Sequence, residues 1–160
     1  MIRALTICQP HAHYVALPDD DPAAKRVENR VWRTDYRGYV AIHAGASRAW
    51  LDSGDFPVDR GVLVFSAVLC IARLRACIHI DTINRALATP RCAGDQAIIE
   101  DLGWVLEHAH TTGPICWVFD SVRILEAPMP ARGARGLWEW TPPGPLRFRS
   151  APSVPSVASV

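Results

Sequence analysis

The sequence predicts an α+β domain, built on a small, strongly curved mixed β-sheet or a partly closed β-barrel with two or three flanking helices. Three observations support this fold class. About six segments show the alternation or the β-branched content of strands. Strands occur near both ends of the pattern, and helices do not alternate regularly with them. The missing alternation disfavours a Rossmann-like sheet.

In the N-terminal half, short apolar runs are separated by turn and proline signals. Pro10 suits the first position of a helix because its fixed φ matches and its missing N–H would be unpaired there. Two prolines bound an acidic run that excludes a helix or a central strand. Ser47 is a suitable N-cap. The predicted elements are a strand over 3–8, a helix from Pro10 to about Leu17, an acidic loop over 18–22, a strand over Gly38–His43 and a short helix over 48–51.

The most apolar segment lies near the middle of the chain. Val62–Ala72 is typical of a strand buried on both faces, and alternation continues to Ile80. The alternation changes parity near Asp120, which indicates a β-bulge. Further predicted elements are a helix over Gln96–His108, a strand over Ile115–Leu125 and a strand over Gly136–Trp140. We therefore predict one domain over residues 1–143 and a disordered Pro/Ser-rich tail over 144–160.

The composition restricts the class of protein. A net charge of +1 excludes a global electrostatic attraction to nucleic acid or to an anionic membrane, so any basic surface must be local. The N-terminus lacks the apolar region of a secretory signal, and no apolar run reaches the roughly 20 residues of a membrane span. Five cysteines without CxxC spacing indicate reduced thiols. We expect a cytoplasmic protein without membrane association.

Lys25 is the single lysine among 17 basic residues. A genome that favours arginine codons explains the other positions. The alternative is that position 25 requires an amine, because lysine is a compact charge that can lose its proton when buried, whereas arginine stays protonated. Glu28 follows three residues later. On a helical turn the two side chains would share one face, where a surface ion pair and a functional pair are both possible.

A series of short motifs runs through the chain. It comprises Leu5-Thr6-Ile7, Gln9-Pro10, Lys25, Val27-Glu28-Asn29-Arg30, Trp32, Tyr36-Arg37-Gly38, Ile42-His43-Ala44-Gly45, Gly113-Pro114, Trp117-Val118-Phe119 and Gly136-Leu137-Trp138. This order resembles the ASCH (activating-signal-cointegrator homology) domain family of the PUA-like superfamily, over roughly residues 2–140. The resemblance implies a PUA-like barrel whose mouth forms a cleft with the Lys-x-x-Glu segment at its lip. It also implies a role connected with nucleic acid.

Two departures from the family pattern affect the expected cleft. His11 follows Gln9-Pro10 where tryptophan is frequent, which changes the stacking surface. The acidic loop around Asp19–Asp21 replaces a short glycine-containing approach to the lysine and is a candidate flap. His11 and His13 are two residues apart and have no carboxylate at ligand spacing, so we expect neither a metal site nor a cofactor.

Our leading hypothesis is a module that binds RNA or single-stranded DNA and holds a nucleotide or base in the cleft. Phosphate would be held by Lys25, Arg30 and Arg37, and a base edge would be recognised by Gln9 and Glu28. Trp32 would pack against the base, and His11 and His43 complete the candidate site. The alternative is a hydrolase that acts on a modified nucleoside or RNA, as in the amidohydrolase-like members of the family, with Lys25 activated by Glu28. A protein-interaction domain is the third possibility.

Overall fold

A computed structural model describes residues 1–150, and six strands in this range form one mixed sheet. The strand order is β2-β5-β4-β3-β1-β6. Strand β1 runs parallel to β3, and all other neighbouring strands are antiparallel. The strands are β1 (Ile2–Ile7), β2 (Val27–Arg30), β3 (Gly38–Ala44), β4 (Ala67–His79), β5 (Ile115–Pro130) and β6 (Leu137–Trp140).

The α+β class with a mixed sheet is therefore confirmed. Strands β2 and β6 are the two edges, and within residues 1–150 they do not pair with each other. The sheet is open, so the predicted partial closure into a barrel is not confirmed.

Four helices lie between the strands of the described chain: α1 (His11–Val15), α2 (Ala49–Asp52), α3 (Ile80–Ala88) and α4 (Ala93–Leu102). The sequence did not predict α3. The alternation before Ile80 indicated a continuing strand, but the His79 side chain accepts a hydrogen bond from the Asp81 N–H at 3.1 Å and caps a helix there. Helix α4 starts earlier than predicted, and a 3₁₀ turn over 103–106 follows it.

The central strand β5 has apolar residues on both faces. Trp117 and Phe119 pack into the main core on one face, while Cys116 and Val118 pack against Ile83 and the other apolar residues of α3 and α4. Neighbouring residues pack on opposite faces because side chains alternate along a strand with a period of two. Strand β5 is therefore covered by side chains on both faces where it pairs with β2. This packing holds β2 in place at the edge of the sheet.

The bulge predicted near Asp120 is confirmed. Ile71 pairs with Arg123 and Arg73 pairs with Asp120, so β5 carries one extra residue over this interval. Ser121 lies within it and has φ of +49°. Asp120 accepts two hydrogen bonds of 2.7 Å from the Arg73 guanidinium, which stabilise the irregular pairing.

The prediction of a disordered tail from residue 144 is wrong for its first part. Phe148 forms a β-bridge with Leu125, and the Arg149 N–H donates to the Ile124 carbonyl at 2.9 Å. Leu146 and Phe148 pack against an apolar cluster on the second face of the sheet. These two apolar side chains, two residues apart, provide the surface that packs this segment against the sheet. Residues 151–160 lie outside the described residues.

None of the helices within residues 1–150 has the length and apolar character needed to cross a membrane. All five cysteines are unpaired in this part of the chain.

Candidate functional site

Lys25 is buried in the wall of a cleft. It is 2% exposed, and its backbone N–H donates to the Tyr14 carbonyl at 2.9 Å, which anchors the segment before β2 to α1. Its Nζ lies 3.5 Å from Oε2 of Glu28. The predicted proximity is therefore present. The predicted helical turn is wrong, because Glu28 belongs to the strand β2 and Lys25 precedes that strand.

Glu28 lies between two cations. Its Oε1 is 3.2 Å from Nε of Arg30, which stands two residues along β2 and hence on the same face. Arg30 in turn donates from Nη2 to the Thr6 carbonyl at 2.8 Å, so the guanidinium bridges β2 and β1. Burial lowers the pKa of Lys25 below its usual range, the adjacent Glu28 carboxylate opposes this effect, and Arg30 adds to it.

These three side chains line a cleft of about 410 Å³. Trp50, 54% exposed on α2, lies at the cleft and donates from Nε1 to Nε2 of His11 at 2.7 Å. The remaining wall comes from three separate segments: Thr6, Ile7 and Cys8 at the end of β1, Asn29 on β2, and Ala109, His110 and Thr112 before β5. Charged groups, hydrogen-bonding groups and an indole thus surround a space of nucleoside size.

The cleft histidines are neutral. Because an indole N–H only donates, Nε2 of His11 must accept from Trp50, which places the ring proton on Nδ1. Burial, with Lys25 and His110 nearby, lowers the pKa of His11 to about 4. Burial also lowers the pKa of His110, whose Nε2 donates to the Ala23 carbonyl at 3.1 Å. At neutral pH these rings therefore contribute hydrogen bonds and no charge.

Asn29 fixes the far wall of the cleft. Its Nδ2 donates to the His110 carbonyl at 2.7 Å, and its Oδ1 accepts from the N–H groups of Thr112 and Gly113 at 2.9 and 3.0 Å. This amide thereby holds the 110–113 segment against β2. The sequence did not single out Trp50, His110 or Thr112, because the segments that carry them are joined to β2 only by the tertiary fold. Asn29 stood in one of the motifs, but that motif gave no sign of this role.

Four of the predicted site residues do not line this cleft. Gln9 is buried, and both ends of its amide are used: Nε2 donates to the Val64 carbonyl at 2.6 Å, and Oε1 accepts from the His13 N–H at 3.0 Å. Its position supports α1 and does not present the amide to a base. Trp32 packs on Trp117 with 4.6 Å between ring centroids and thus belongs to the core surface.

Arg37 and His43 also lie elsewhere. Arg37 is exposed and donates to the Thr34 and Tyr36 carbonyls at 2.9 and 2.8 Å. His43 is 1% exposed and lines a second cavity, where its Nε2 lies 3.0 Å from the Ala131 carbonyl oxygen. Of the predicted residues, the structure therefore brings together His11, Lys25, Glu28 and Arg30.

The acidic loop is held away from the cleft. Asp19 accepts a hydrogen bond of 2.8 Å from Nε of Arg26, and Asp21 accepts one of 2.8 Å from the Ala23 N–H. Asp19 and Asp20 instead border a cavity beside Phe148. The loop does not form a flap over Lys25 in this structure.

Within residues 1–150, no group of three or more His, Cys, Asp or Glu side chains is arranged to hold a metal ion. No protein-family model matches the chain, and no curated protein matches it. The case for a function therefore depends on the geometry of the cleft.

Proposed function

We propose that this protein is a nucleic-acid-binding module of the ASCH type, with a PUA-like fold, that holds one nucleotide or base of an RNA or single-stranded DNA in the Lys25–Glu28 cleft. The observation that carries this proposal is the coupled set of Lys25, Glu28 and Arg30 in a cleft of about 410 Å³ that Trp50 borders.

The chemistry of these groups suits a base. The Glu28 carboxylate accepts hydrogen bonds from a ring N–H or an exocyclic amine, while the Lys25 ammonium donates. The half-exposed Trp50 indole provides a flat surface for stacking, which contributes about 1–3 kcal/mol per base in single-strand binders. The aromatic contact that the sequence assigned to Trp32 thus passes to Trp50. The cleft has room for one nucleotide.

The test compares Trp50→Ala with Trp104→Ala. Trp104 is 38% exposed on the 3₁₀ turn over 103–106, so it is a tryptophan of similar exposure outside the cleft. Binding of eight-nucleotide single-stranded RNA, single-stranded DNA and a duplex is measured by fluorescence anisotropy. We expect Trp50→Ala to weaken single-strand binding at least about 5-fold, from the stacking energy lost. Trp104→Ala should bind like wild type. Equal binding by Trp50→Ala and wild type would contradict the proposal.

The second candidate is hydrolysis of an amide on a modified nucleoside, and the lowered pKa of the buried Lys25 favours it. In this scheme the neutral amine takes a proton from water, and the resulting hydroxide adds to the amide carbonyl. The C–N bond then breaks as the proton passes to the leaving nitrogen, and a carboxylic acid and an amine are released. Incubation with N4-acetylcytidine, followed by mass spectrometry, tests it. Cytidine formed by wild type and absent with Lys25→Arg would establish the hydrolase, because arginine keeps the charge and does not deprotonate.

A further inference from the structure

A second cavity, of about 830 Å³, adjoins the Lys25 cleft. The two share Thr6, which lines both, while His43 and Ser66 line only the second. The outer wall of the second cavity is the Ala131–Arg135 segment, which connects β5 to β6 and has no regular secondary structure.

This connection is nonetheless fixed to the sheet at three points. The Ala131 N–H donates to the Ser66 carbonyl at 2.9 Å, and its carbonyl accepts from Nε2 of the buried His43 at 3.0 Å. The Thr6 hydroxyl donates to the Ala134 carbonyl at 3.0 Å and accepts from the Trp138 indole at 3.1 Å. A strand residue shared by both cavities therefore sets the position of the loop.

Gly133 allows the loop to lie directly on these side chains. A Cβ at this position would be 2.5 Å from Cε1 of His43 and 2.8 Å from Oγ1 of Thr6, closer than real Cβ atoms approach their neighbours. Any other residue would push the loop away from the sheet. The loop is thus built to hold one close position over His43 and Thr6.

The charged residues on this loop are Arg132 and Arg135. Both are exposed, and the ion pairs found among residues 1–150 involve neither of them. Some exposed arginines have their charge offset by a carboxylate, as Arg73 does with Asp120. The cavity lining contains no carboxylate. The loop therefore presents two uncompensated guanidinium groups to the cavity region from a preorganised backbone.

We propose that the Ala131–Arg135 loop and the open cavity that it lines form a phosphate subsite. It would hold the backbone phosphates of a single-stranded oligonucleotide whose neighbouring base occupies the Lys25 cleft. Guanidinium groups match phosphate oxygens in geometry and charge. Thr6, which lines both cavities, stands between the proposed base position and the proposed phosphate position. The identity of the ligand rests on the proposed function of the cleft, whereas the anion-binding role of the loop rests on its own geometry.

The test measures the affinity of a mixed-sequence eight-nucleotide single-stranded RNA between 50 and 200 mM salt. Each phosphate contact on a single strand contributes a slope of about −0.7 to the dependence of log affinity on log salt. The Arg132→Ala/Arg135→Ala variant should therefore have a slope smaller by about 1.4. Its affinity deficit should be about 7-fold greater at 50 mM than at 200 mM salt. Arg85→Ala/Arg91→Ala, which removes two other exposed arginines, is the matched control and should bind like wild type.

A second variant addresses the backbone and leaves the charge unchanged. Gly133→Ala should weaken binding of the same RNA, because the added Cβ displaces the loop. Gly144→Ala, where a Cβ meets nothing within 4 Å, should have no effect.

The outcomes separate the two proposals. If the Arg132→Ala/Arg135→Ala variant keeps the wild-type slope while Trp50→Ala weakens binding, the phosphate subsite is overturned and the cleft proposal stands. If the double variant loses the slope and Trp50→Ala binds normally, the subsite stands and the cleft proposal fails. Failure of the wild-type protein to bind the RNA at all would overturn both.

Discussion

Replacing Glu28 by glutamine removes the carboxylate that lies between Lys25 and Arg30 while keeping the shape of the side chain. Of the two cations, Lys25 depends more on the Glu28 carboxylate to balance its charge. Lys25 is 2% exposed in its side chain, and within residues 1–150 its carboxylate partner is Glu28, at 3.5 Å. Arg30 is 23% exposed and also donates to the Thr6 carbonyl. Glu28→Gln therefore leaves a buried ammonium without a counter-charge.

The expected losses of unfolding free energy are unequal for Glu28→Gln and Lys25→Met, although both variants remove the same ion pair. Breaking a buried pair from one side costs about 3–5 kcal/mol, and we expect Glu28→Gln to cost about 3 kcal/mol of unfolding free energy, because Lys25 Nζ borders the cleft. Lys25→Met should cost less than about 1 kcal/mol, since Glu28 keeps Arg30 at 3.2 Å and methionine requires no desolvation of charge. The double variant should resemble Lys25→Met.

Urea denaturation followed by tryptophan fluorescence measures these free energies. The exposed pair of Arg3 and Glu139, at 3.4 Å, provides the control, and Glu139→Gln should cost less than about 1 kcal/mol.

The folded pKa of Lys25 is below its unfolded value, so the unfolded chain binds more protons and stability rises as pH increases toward 10.5. Removing Glu28 lowers that pKa further, so the deficit of Glu28→Gln should shrink as the pH rises toward 10.5. Equal costs for Glu28→Gln and Lys25→Met would refute the reasoning.

Three further predictions concern stability. The pKa values of His11 and His108 are about 4 in the folded chain against 6.5, so the unfolded chain binds more protons below pH 6.5. After allowance for solvent screening, lowering the pH from 7.5 to 5 should reduce the free energy of unfolding, measured by urea denaturation, by about 2 kcal/mol. An unfolding free energy that does not change with pH over this range would contradict the prediction. Phe148→Ala should lower the free energy of unfolding by about 1–3 kcal/mol, because its half-buried ring packs on the second face of the sheet and lies 3.8 Å from the Arg123 guanidinium. An unchanged urea midpoint would contradict this packing and favour the prediction of a disordered tail. Gly113→Ala should lower the melting temperature by several degrees, since φ is +67° and a Cβ would meet Ile80 at 3.0 Å, whereas Gly144→Ala should not.

The strands were predictable wherever a period of two or a β-branched run was undisturbed. Strand β3 and the bulge in β5 follow from this pattern directly. Helix α3 was missed because the alternation of β4 runs up to Ile80, where the helix begins, and the capping by His79 overrides it. Sheet closure could not be derived, because strand patterns fix the faces of strands and not which edges meet.

The site was predictable only where its residues are close in sequence. Lys25, Glu28 and Arg30 fall within six residues, so their contact followed from spacing even though the local structure was wrong. Trp50 and His110 reach the cleft through the placement of α2 and through the hydrogen bonds of Asn29. The sequence offered Trp32 as the aromatic partner, and only the packing on Trp117 shows that it faces the core.

The two candidate functions require opposite protonation states of Lys25. Recognition of a base or phosphate uses the charged ammonium, whereas hydrolysis uses the neutral amine. Burial and Arg30 favour the neutral form, and Glu28 favours the charged form. Glu28→Gln should therefore weaken binding if the protein is a binding module. In a hydrolase the same change would increase the fraction of free amine and shift the ascending, acidic limb of the pH–rate profile to lower pH. Glu28 sets the state of the amine in both cases, so the sign of its effect distinguishes the two functions.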